Sequence, residues 1–223
     1  AGIEAALTLK EQLGGTVTVV CMGPPQADVA LREALAMGCD DAILMSDRAF
    51  GGSDTYATAH VIAAGLKTLD YDLIITGRQA IDGDTAQVGP QIAEQLGIPQ
   101  VSYAAEVKTA EDGAVVVKRQ FEDRYQLLKV KTPCLITALS ELAQPRYMTV
   151  SGIVNAYNKE VKVLTFEDVK NNLNPDFIGL KGSPTNVKQS FTKQVKGAGT
   201  VINVSADEAV KTIMDKLIEK HII

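Results

Sequence analysis

The feature that most constrains the fold is the alternation of helical and β-rich segments along the N-terminal half of the chain. Apolar spacing and β-rich composition divide it into helices over 3–13, 29–37 and 57–69 and strands over 16–22, 41–45 and 72–76. Strands that alternate with helices form right-handed crossover units, which produce a parallel sheet with helices on both faces. The predicted fold class is therefore α/β, with a doubly wound, mostly parallel sheet.

A different pattern follows in the middle of the chain. Three runs of alternating apolar and polar residues predict antiparallel strands over 101–107, 114–121 and 124–131. Asp112-Gly113 is a hairpin signal between the first two runs. Residues 134–139 predict a further buried strand. We expect an antiparallel hairpin insertion, after which the chain rejoins the main sheet.

Regularity fades beyond Gly152, and the polar, basic stretch 182–199 predicts an extended arm. Ser205 and Glu208 form a capping-box pattern before a helix with one apolar face, made of Val210, Ile213, Met214, Leu217 and Ile218. That face must be buried on its own domain or on another chain, and an arm of this length favours another chain.

We therefore expect an α/β domain over 1–165 and a C-terminal arm and helix over 166–223, packing on a partner subunit. The chain opens on a helix, whereas a sheet of this kind normally opens on a strand. The N-terminal strand of the domain is accordingly expected to be missing.

Composition and charge argue against several functional classes. The net charge is −5 without a block of like charges, which predicts no nucleic acid partner. The longest apolar runs are too short for a membrane span. Apolar residues make up 46% and charged residues 22% of the 223 residues, as in ordinary globular domains.

The cysteines and histidines predict neither disulfides nor a metal site. Cys21, Cys39 and Cys134 are far apart in sequence, which fits buried thiols in a reducing compartment. His60 and His221 lack a second ligand at metal-binding spacing.

The chain opens without a signal or transit pattern, which predicts a cytoplasmic protein. Neither a Ser-His-Asp order nor a glycine-rich phosphate motif is found, so we name no catalytic residue.

The segment 72–94 is the most informative part of the sequence. A buried strand ends at Gly77, and a helix is predicted to start near Thr85, with Asp84 and Gln87 as a capping box. Open α/β sheets bind ligands beyond the carboxyl ends of their strands, where a helix N-terminus offers N–H groups to a phosphate. A capped loop without a ligand is the alternative. Pro90 requires either that this helix kinks or that it begins nearer Gly89.

Four segments resemble the beta subunits of electron transfer flavoproteins. Residues 77–87 (GRQAIDGDTAQ) resemble the family signature GxQAxDxDxxQ, and residues 33–38 (EALAMG) resemble a helix end of the family. Residues 144–149 (QPRYMT) resemble its "EPRY" segment, and residues 179–185 (GLKGSPT) resemble a sequence segment common in its bacterial members. Together with neighbouring similarity, the resemblance covers almost the whole chain.

The resemblance implies a Rossmann-like, adenine-nucleotide-binding domain that works as a heterodimer with a flavin-carrying alpha subunit. The nucleotide contact set carried over from it, with Arg78 and Asp84 added from the loop itself, is Met22, Gly77, Arg78, Gln79, Ala80, Asp82, Gly83, Asp84, Thr85, Ala86, Gln87 and Val88. Asp84 is expected to act as a cap, and Asp82 to close an Asx-turn or accept from a ribose or adenine donor.

The resemblance also bears on the nucleotide. Family members that only carry electrons hold AMP here, whereas members that bifurcate electrons hold a second FAD. Residues 83–90 (GDTAQVGP) resemble the bifurcating version, so FAD is the expected cofactor and AMP the alternative. NADH would then be the electron donor, and the electrons would pass to the FAD of the alpha subunit and to a low-potential acceptor such as ferredoxin or flavodoxin.

The resemblance also implies that the segment from Arg146 to Tyr157 recognises an acyl-CoA dehydrogenase, with Val150 and Ile153 as candidate apolar anchors. Burial of both residues against their own domain is the alternative. Two other functions stay open: a free-standing adenine-nucleotide-binding module, and a structural subunit with a vestigial site. Co-purification with a large flavoprotein would separate these possibilities.

Overall fold

The computed structural model describes residues 1–110, 113–192, 197 and 199–223. They form two compact units, Ala1–Asn186 and Val187–Ile223. The predicted turn residue Asp112 lies outside the described residues. Within the described ranges, none of the helices has both the length and the apolar content that crossing a bilayer would require.

The alternation predicted for the N-terminal half is confirmed. Its elements are α1 (Gly2–Leu13), β1 (Thr18–Met22), α2 (Asp28–Met37), β2 (Asp41–Met45), α3 (Thr55–Leu66), β3 (Leu73–Gly77) and α4 (Val88–Leu96). Helix α2 ends at Gly38, whose φ of 124° is a conformation that favours glycine. Helix α4 ends at Gly97 in the left-handed conformation, as helices commonly do.

The strands predicted for the middle of the chain are present, and a further strand over Val161–Leu164 was not predicted. The elements of the rest of the first unit are β4 (Gln100–Ala110), β5 (Ala114–Gln120), β6 (Tyr125–Lys131), β7 (Cys134–Ala138), α5 (Val150–Asn158), β8 (Val161–Leu164), α6 (Phe166–Val169) and α7 (Gly179–Gly182). The second unit contains α8 (Ala206–Glu219). Short 3₁₀ turns occupy Pro25–Ala27, Arg48–Phe50, Ser140–Leu142, Lys170–Asn172 and Pro175–Phe177.

Hydrogen bonding divides the strands into two sheets. The first has the order β1-β2-β8 and is parallel throughout. The second has the order β3-β7-β4-β5-β6, in which β7 pairs in parallel with both β3 and β4. Strands β4, β5 and β6 form the antiparallel insertion. As predicted, the chain therefore returns from the insertion to the parallel part of the sheet.

Both faces of β2, the central strand of the first sheet, are covered, as a doubly wound fold requires. In β2, Ala42 and Leu44 join a cluster with α1, α2 and α5, whereas Ile43 and Met45 join a cluster with α3. Successive side chains of a strand point to opposite faces of its sheet. Each face of β2 is therefore packed against helices.

The first unit extends to Asn186, further than the boundary expected at residue 165. The reason is packing, because Val169 and Ile178 are buried in the cluster that contains Phe50 and Val61. Residues 166–186 thus belong to the first unit, anchored by these two buried side chains, and the second unit begins at Val187.

A partly buried ion pair connects the segment before α5 to helix α1. The guanidinium of Arg146 donates to both carboxylate oxygens of Glu4, through Nε at 2.8 Å and Nη2 at 2.8 Å, and its Nη1 donates to Glu11 at 2.6 Å. The backbone N–H of Arg146 also donates to Glu4, at 3.0 Å. These hydrogen bonds hold the pKa of Glu4 below its ordinary value, against the effect of burial.

We expect Glu4→Gln to lower the free energy of unfolding by about 1–3 kcal/mol at neutral pH. Because the folded-state pKa of Glu4 is depressed, its contribution is present above the ordinary value of 4.5 and is lost as the pH falls through the folded-state pKa. Urea unfolding across a pH series should therefore show the difference from wild type shrinking below that value. Glu11→Gln, at an exposed partner of the same arginine, is the control and should have little effect. A difference that does not depend on pH would contradict this role of Glu4.

Candidate functional site

The candidate site is the loop between β3 and α4, at the carboxyl end of the parallel strands. Gly77 pairs with Ala138 at the ends of β3 and β7, and the N–H of Arg78 donates to the carbonyl of Ala138 at 3.1 Å. The chain then leaves the sheet and enters the loop. This edge is where open α/β sheets bind their ligands.

Helix α4 begins later than predicted. Its first residue is Val88 and its N-cap is Gln87, without a side-chain cap, so the predicted start near Thr85 and the capping box of Asp84 and Gln87 are wrong. Pro90 explains the difference. It lacks an N–H group and is tolerated in the first turn, where the N–H groups have no partner within the helix. The alternative of a start nearer Gly89 is confirmed.

The loop is closed by its own hydrogen bonds. The N–H of Asp84 donates to the carbonyl of Ala80 at 3.0 Å, and the amide of Gln79 donates to the Asp84 carboxylate. Asp84 therefore braces the loop instead of capping the helix. Asp84 and Ala86 have φ values of 50° and 54°, which are unusual for residues other than glycine. Such conformations cost free energy and cluster at functional sites.

The turn into α4 can bind an anion. Ala86 has a positive φ, and Gln87 follows in the right-handed helical region. Such a change of hand turns successive N–H groups toward one another and creates an anion-binding concavity. The N–H groups of Val88 and Gly89 follow in the first turn of the helix, where they lack intrahelical partners and carry the positive end of the helix dipole.

Gly89 allows α4 to approach the strands closely. A Cβ atom at Gly89 would lie 2.6 Å from Oγ1 of Thr76 and 2.9 Å from Cγ2 of Thr137, which is closer than any side chain permits. Among the described residues, the buried Oγ1 of Thr76 has no hydrogen-bond partner. Because Gly89 has no side chain, the start of α4 lies directly against the ends of β3 and β7.

The opposite side of the loop is open. A Cβ atom at Gly77 or Gly83 would meet no other atom of the described residues within 4 Å, and Ile81 is 99% exposed. N–H groups without a partner among the described residues, small residues and the exposed Arg78 together leave room and positive charge for an anion. Among the described residues, no three His, Cys, Asp or Glu side chains come together in a way that could hold a metal ion.

The structure places eleven of the twelve predicted contact residues on this loop and its two ends, and Met22 elsewhere. Met22 lies at the end of β1 and packs against the cluster that contains Ile43 and Met45. The structure thus gives Met22 a packing role, and its contact with an adenosine stays a prediction. The role of Asp82 also stays a prediction.

Sequence reasoning missed the contribution of α3 to this site. The hydroxyl of Thr55 donates to Oε1 of Gln87 at 2.9 Å. Asp54, the N-cap of α3, accepts from the N–H groups of Ala57 at 3.0 Å and Thr185 at 2.9 Å. Burial raises the pKa of Asp54, but these donors outweigh it and lower the pKa below its ordinary value. The N-cap role of Asp54 can be predicted from sequence, because it involves neighbouring residues. The contact of Thr55 with Gln87 cannot, because it joins residues 32 positions apart.

Two apolar surfaces lie outside the loop. In the segment from Arg146 to Tyr157, the side chains of Tyr147 and Val150 are 97% and 81% exposed, and Ile153 is also exposed. In the second unit, the predicted capping box of Ser205 and Glu208 is confirmed, and none of the residues of α8 is buried. Both surfaces are thus uncovered within their own units.

Comparisons with known proteins identify the family. The electron transfer flavoprotein domain matches residues 1–169. The chain is 55% identical over 221 residues to the electron transfer flavoprotein subunit beta of Clostridium acetobutylicum, covering 99% of this chain and 84% of that protein. It is 52% identical over 227 residues to the acryloyl-CoA reductase electron transfer subunit gamma of Anaerotignum propionicum, covering 99% and 85%. It is 50% identical over 224 residues to a subunit of the caffeyl-CoA reductase-Etf complex of Acetobacterium woodii, covering 99% and 84%. The chain therefore belongs to the electron transfer flavoprotein family, as a homologue of its beta subunits.

Proposed function

We propose that this chain is the beta subunit of a heterodimeric electron transfer flavoprotein and that it binds FAD at the loop between β3 and α4. The observation that carries this proposal is the start of α4, where Gly89 brings free N–H groups against the strand ends and Ala86 turns the preceding backbone toward them. When bound, the flavin supplies the hydride and single-electron chemistry.

The residues of the loop would bind and orient the nucleotide. The N–H groups from Ala86 to Gly89 donate to its phosphate oxygens, and Arg78 adds positive charge. A pyrophosphate uses more donors than a monophosphate, and these successive N–H groups can supply them. This number of donors, with the small residues of the loop, favours FAD over AMP. No side chain of this chain is required to act as an acid, base or nucleophile.

The electron path follows from the same assignment. The FAD that the loop residues would hold would supply hydride and single-electron chemistry, with NADH as the donor and with the FAD of the alpha subunit and a low-potential acceptor, ferredoxin or flavodoxin, as the acceptors. The segment from Arg146 to Tyr157 docks an acyl-CoA dehydrogenase through its exposed apolar side chains. Relatives named for acryloyl-CoA and caffeyl-CoA reductases support this class of partner. We place the complex in the cytoplasm.

The arm and α8 would hold the alpha subunit. Helix α8 carries a capping box and an apolar face that none of the described residues of its own unit buries. An amphipathic helix of this kind is stable when its apolar face is buried, which a large subunit can provide. Pairing with that subunit also explains why a long polar stretch precedes the helix.

Nucleotide content is the decisive test of this function. We expect the heterodimer, purified without added FAD, to release two FAD molecules and no AMP on denaturation. Chromatographic quantification of flavin and AMP against protein concentration checks this. One FAD with one AMP would instead identify a simple electron carrier, and the NADH-dependent part of the proposal would be withdrawn.

A further inference from the structure

The side chain of Gln87 is held by a neighbouring helix. Although Gln87 is the N-cap residue of α4, it makes no side-chain capping bond to that helix. Its Oε1 instead accepts from the hydroxyl of Thr55, in the first turn of α3, at 2.9 Å. Since the carbonyl oxygen is occupied, the Nε2 group, which carries two hydrogens, is left to donate. No acceptor for Nε2 is found within the part of the chain that the structure describes.

Thr55 stands on a well-supported part of the fold. The N–H of the preceding residue, Asp54, donates to Oγ of Ser183 at 2.8 Å. The carboxylate of Asp54 accepts from the N–H groups of Ala57 and Thr185. Oγ of Ser183 in turn donates to the carbonyl of Gly179 at 2.7 Å. These hydrogen bonds to Asp54 and Ser183 fix the start of α3, from which Thr55 projects, whereas Gln87 follows an exposed loop.

We propose that Thr55 is a positioning residue, which orients the Gln87 amide so that its Nε2 group donates to a phosphate oxygen of the bound nucleotide. This inference rests on the proposed function, because it takes the loop as the nucleotide site. It assigns to α3 a part in nucleotide binding that acts through Gln87. It also means that the site presents a donor at this point, and that an acidic residue in place of Gln87 would repel the ligand.

The test measures the dissociation constant of ADP, which carries the adenosine and pyrophosphate groups, by equilibrium dialysis against the nucleotide-depleted heterodimer. Thr55→Val removes the hydroxyl but keeps the branched shape, and we expect it to weaken ADP binding about threefold to tenfold. Thr55→Ser keeps the hydroxyl and should restore affinity. Gln87→Glu can still accept from Thr55 but lacks a donor, and should weaken binding more than Thr55→Val.

A double-mutant cycle separates positioning from a general structural effect. Thr55→Val should have no further effect in a Gln87→Ala background, because its action passes through the amide. An equal loss in both backgrounds, or no loss with Thr55→Val while Gly83→Val weakens ADP binding, would overturn the inference and leave the nucleotide site in place. If neither Gln87→Ala nor Gly83→Val changes ADP binding, the assignment of the site itself falls, and the inference with it.

Discussion

Replacing Ile213 and Leu217 with glutamate is expected to abolish stable pairing of this chain with the alpha subunit. Both residues lie four positions apart on the apolar face of α8, and Ile213 is 56% exposed within the described chain. Glutamate is a good helix former, so α8 itself should persist. Two carboxylates placed in an apolar interface would lose their hydration without gaining partners. Co-elution of co-expressed subunits in size-exclusion chromatography measures the effect.

The control for this prediction lies on the opposite face of the same helix. Lys211→Glu with Asp215→Glu also introduces two glutamates and changes the net charge of the chain by the same amount. Because these positions are polar and exposed, pairing should be retained. Co-elution of the Ile213 and Leu217 variant at wild-type yield would show that α8 does not bind the alpha subunit, and the apolar face would need another occupant.

Gly83→Val is expected to weaken nucleotide binding about tenfold or more, which corresponds to ~1.4 kcal/mol or more of binding free energy. A Cβ atom at Gly83 meets no atom of the residues that the structure describes within 4 Å, so the folded chain can accommodate the substitution. The added branched side chain would fill the space through which a phosphate reaches the loop. Thermal stability of the nucleotide-depleted heterodimer should therefore change little while nucleotide content falls.

Gly199→Val is the matched control, since a Cβ atom at Gly199 also meets no described residue within 4 Å but Gly199 belongs to the second unit. Its nucleotide content should equal that of wild type. Full nucleotide content in purified Gly83→Val would mean that the loop is only a connection between β3 and α4. If the nucleotide-depleted Gly83→Val variant were less stable than wild type, Gly83 would have to be packed against other residues, contrary to the open space around it.

Several elements were predictable because their signals are local. The apolar spacing in α1 and α2, with Gly38 directly after α2, predicted two helices close to their observed bounds. The capping box of Ser205 and Glu208 predicted the start of α8, because both of its hydrogen bonds are made within four residues. Such signals are readable without knowledge of the fold, since the interacting groups are neighbours in sequence.

Strand β8 was not predictable in the same way. It contains four residues, two of which are exposed, and it forms by pairing with β2 in the register Ala42↔Val161. A run of four residues has little intrinsic preference for β structure, so its conformation is decided by whether a neighbouring strand edge is available for pairing. The end of the first unit was likewise set by tertiary contacts, because Val169 and Ile178 are buried against residues that lie far from them in sequence.

The sequence by itself determined the family, the α/β class and the loop in which the candidate site lies, because periodicity, caps and the GRQAIDGDTAQ segment are properties of neighbouring residues. Pro90 left two possibilities for α4, a kink or a start nearer Gly89, and the tertiary structure shows the second, with Gly89 fitted against Thr76 and Thr137. It also decided that Thr55 reaches Gln87 across 32 residues and that Arg146 reaches Glu4 across 142. These contacts depend on how separate elements pack, and no local pattern specifies that packing.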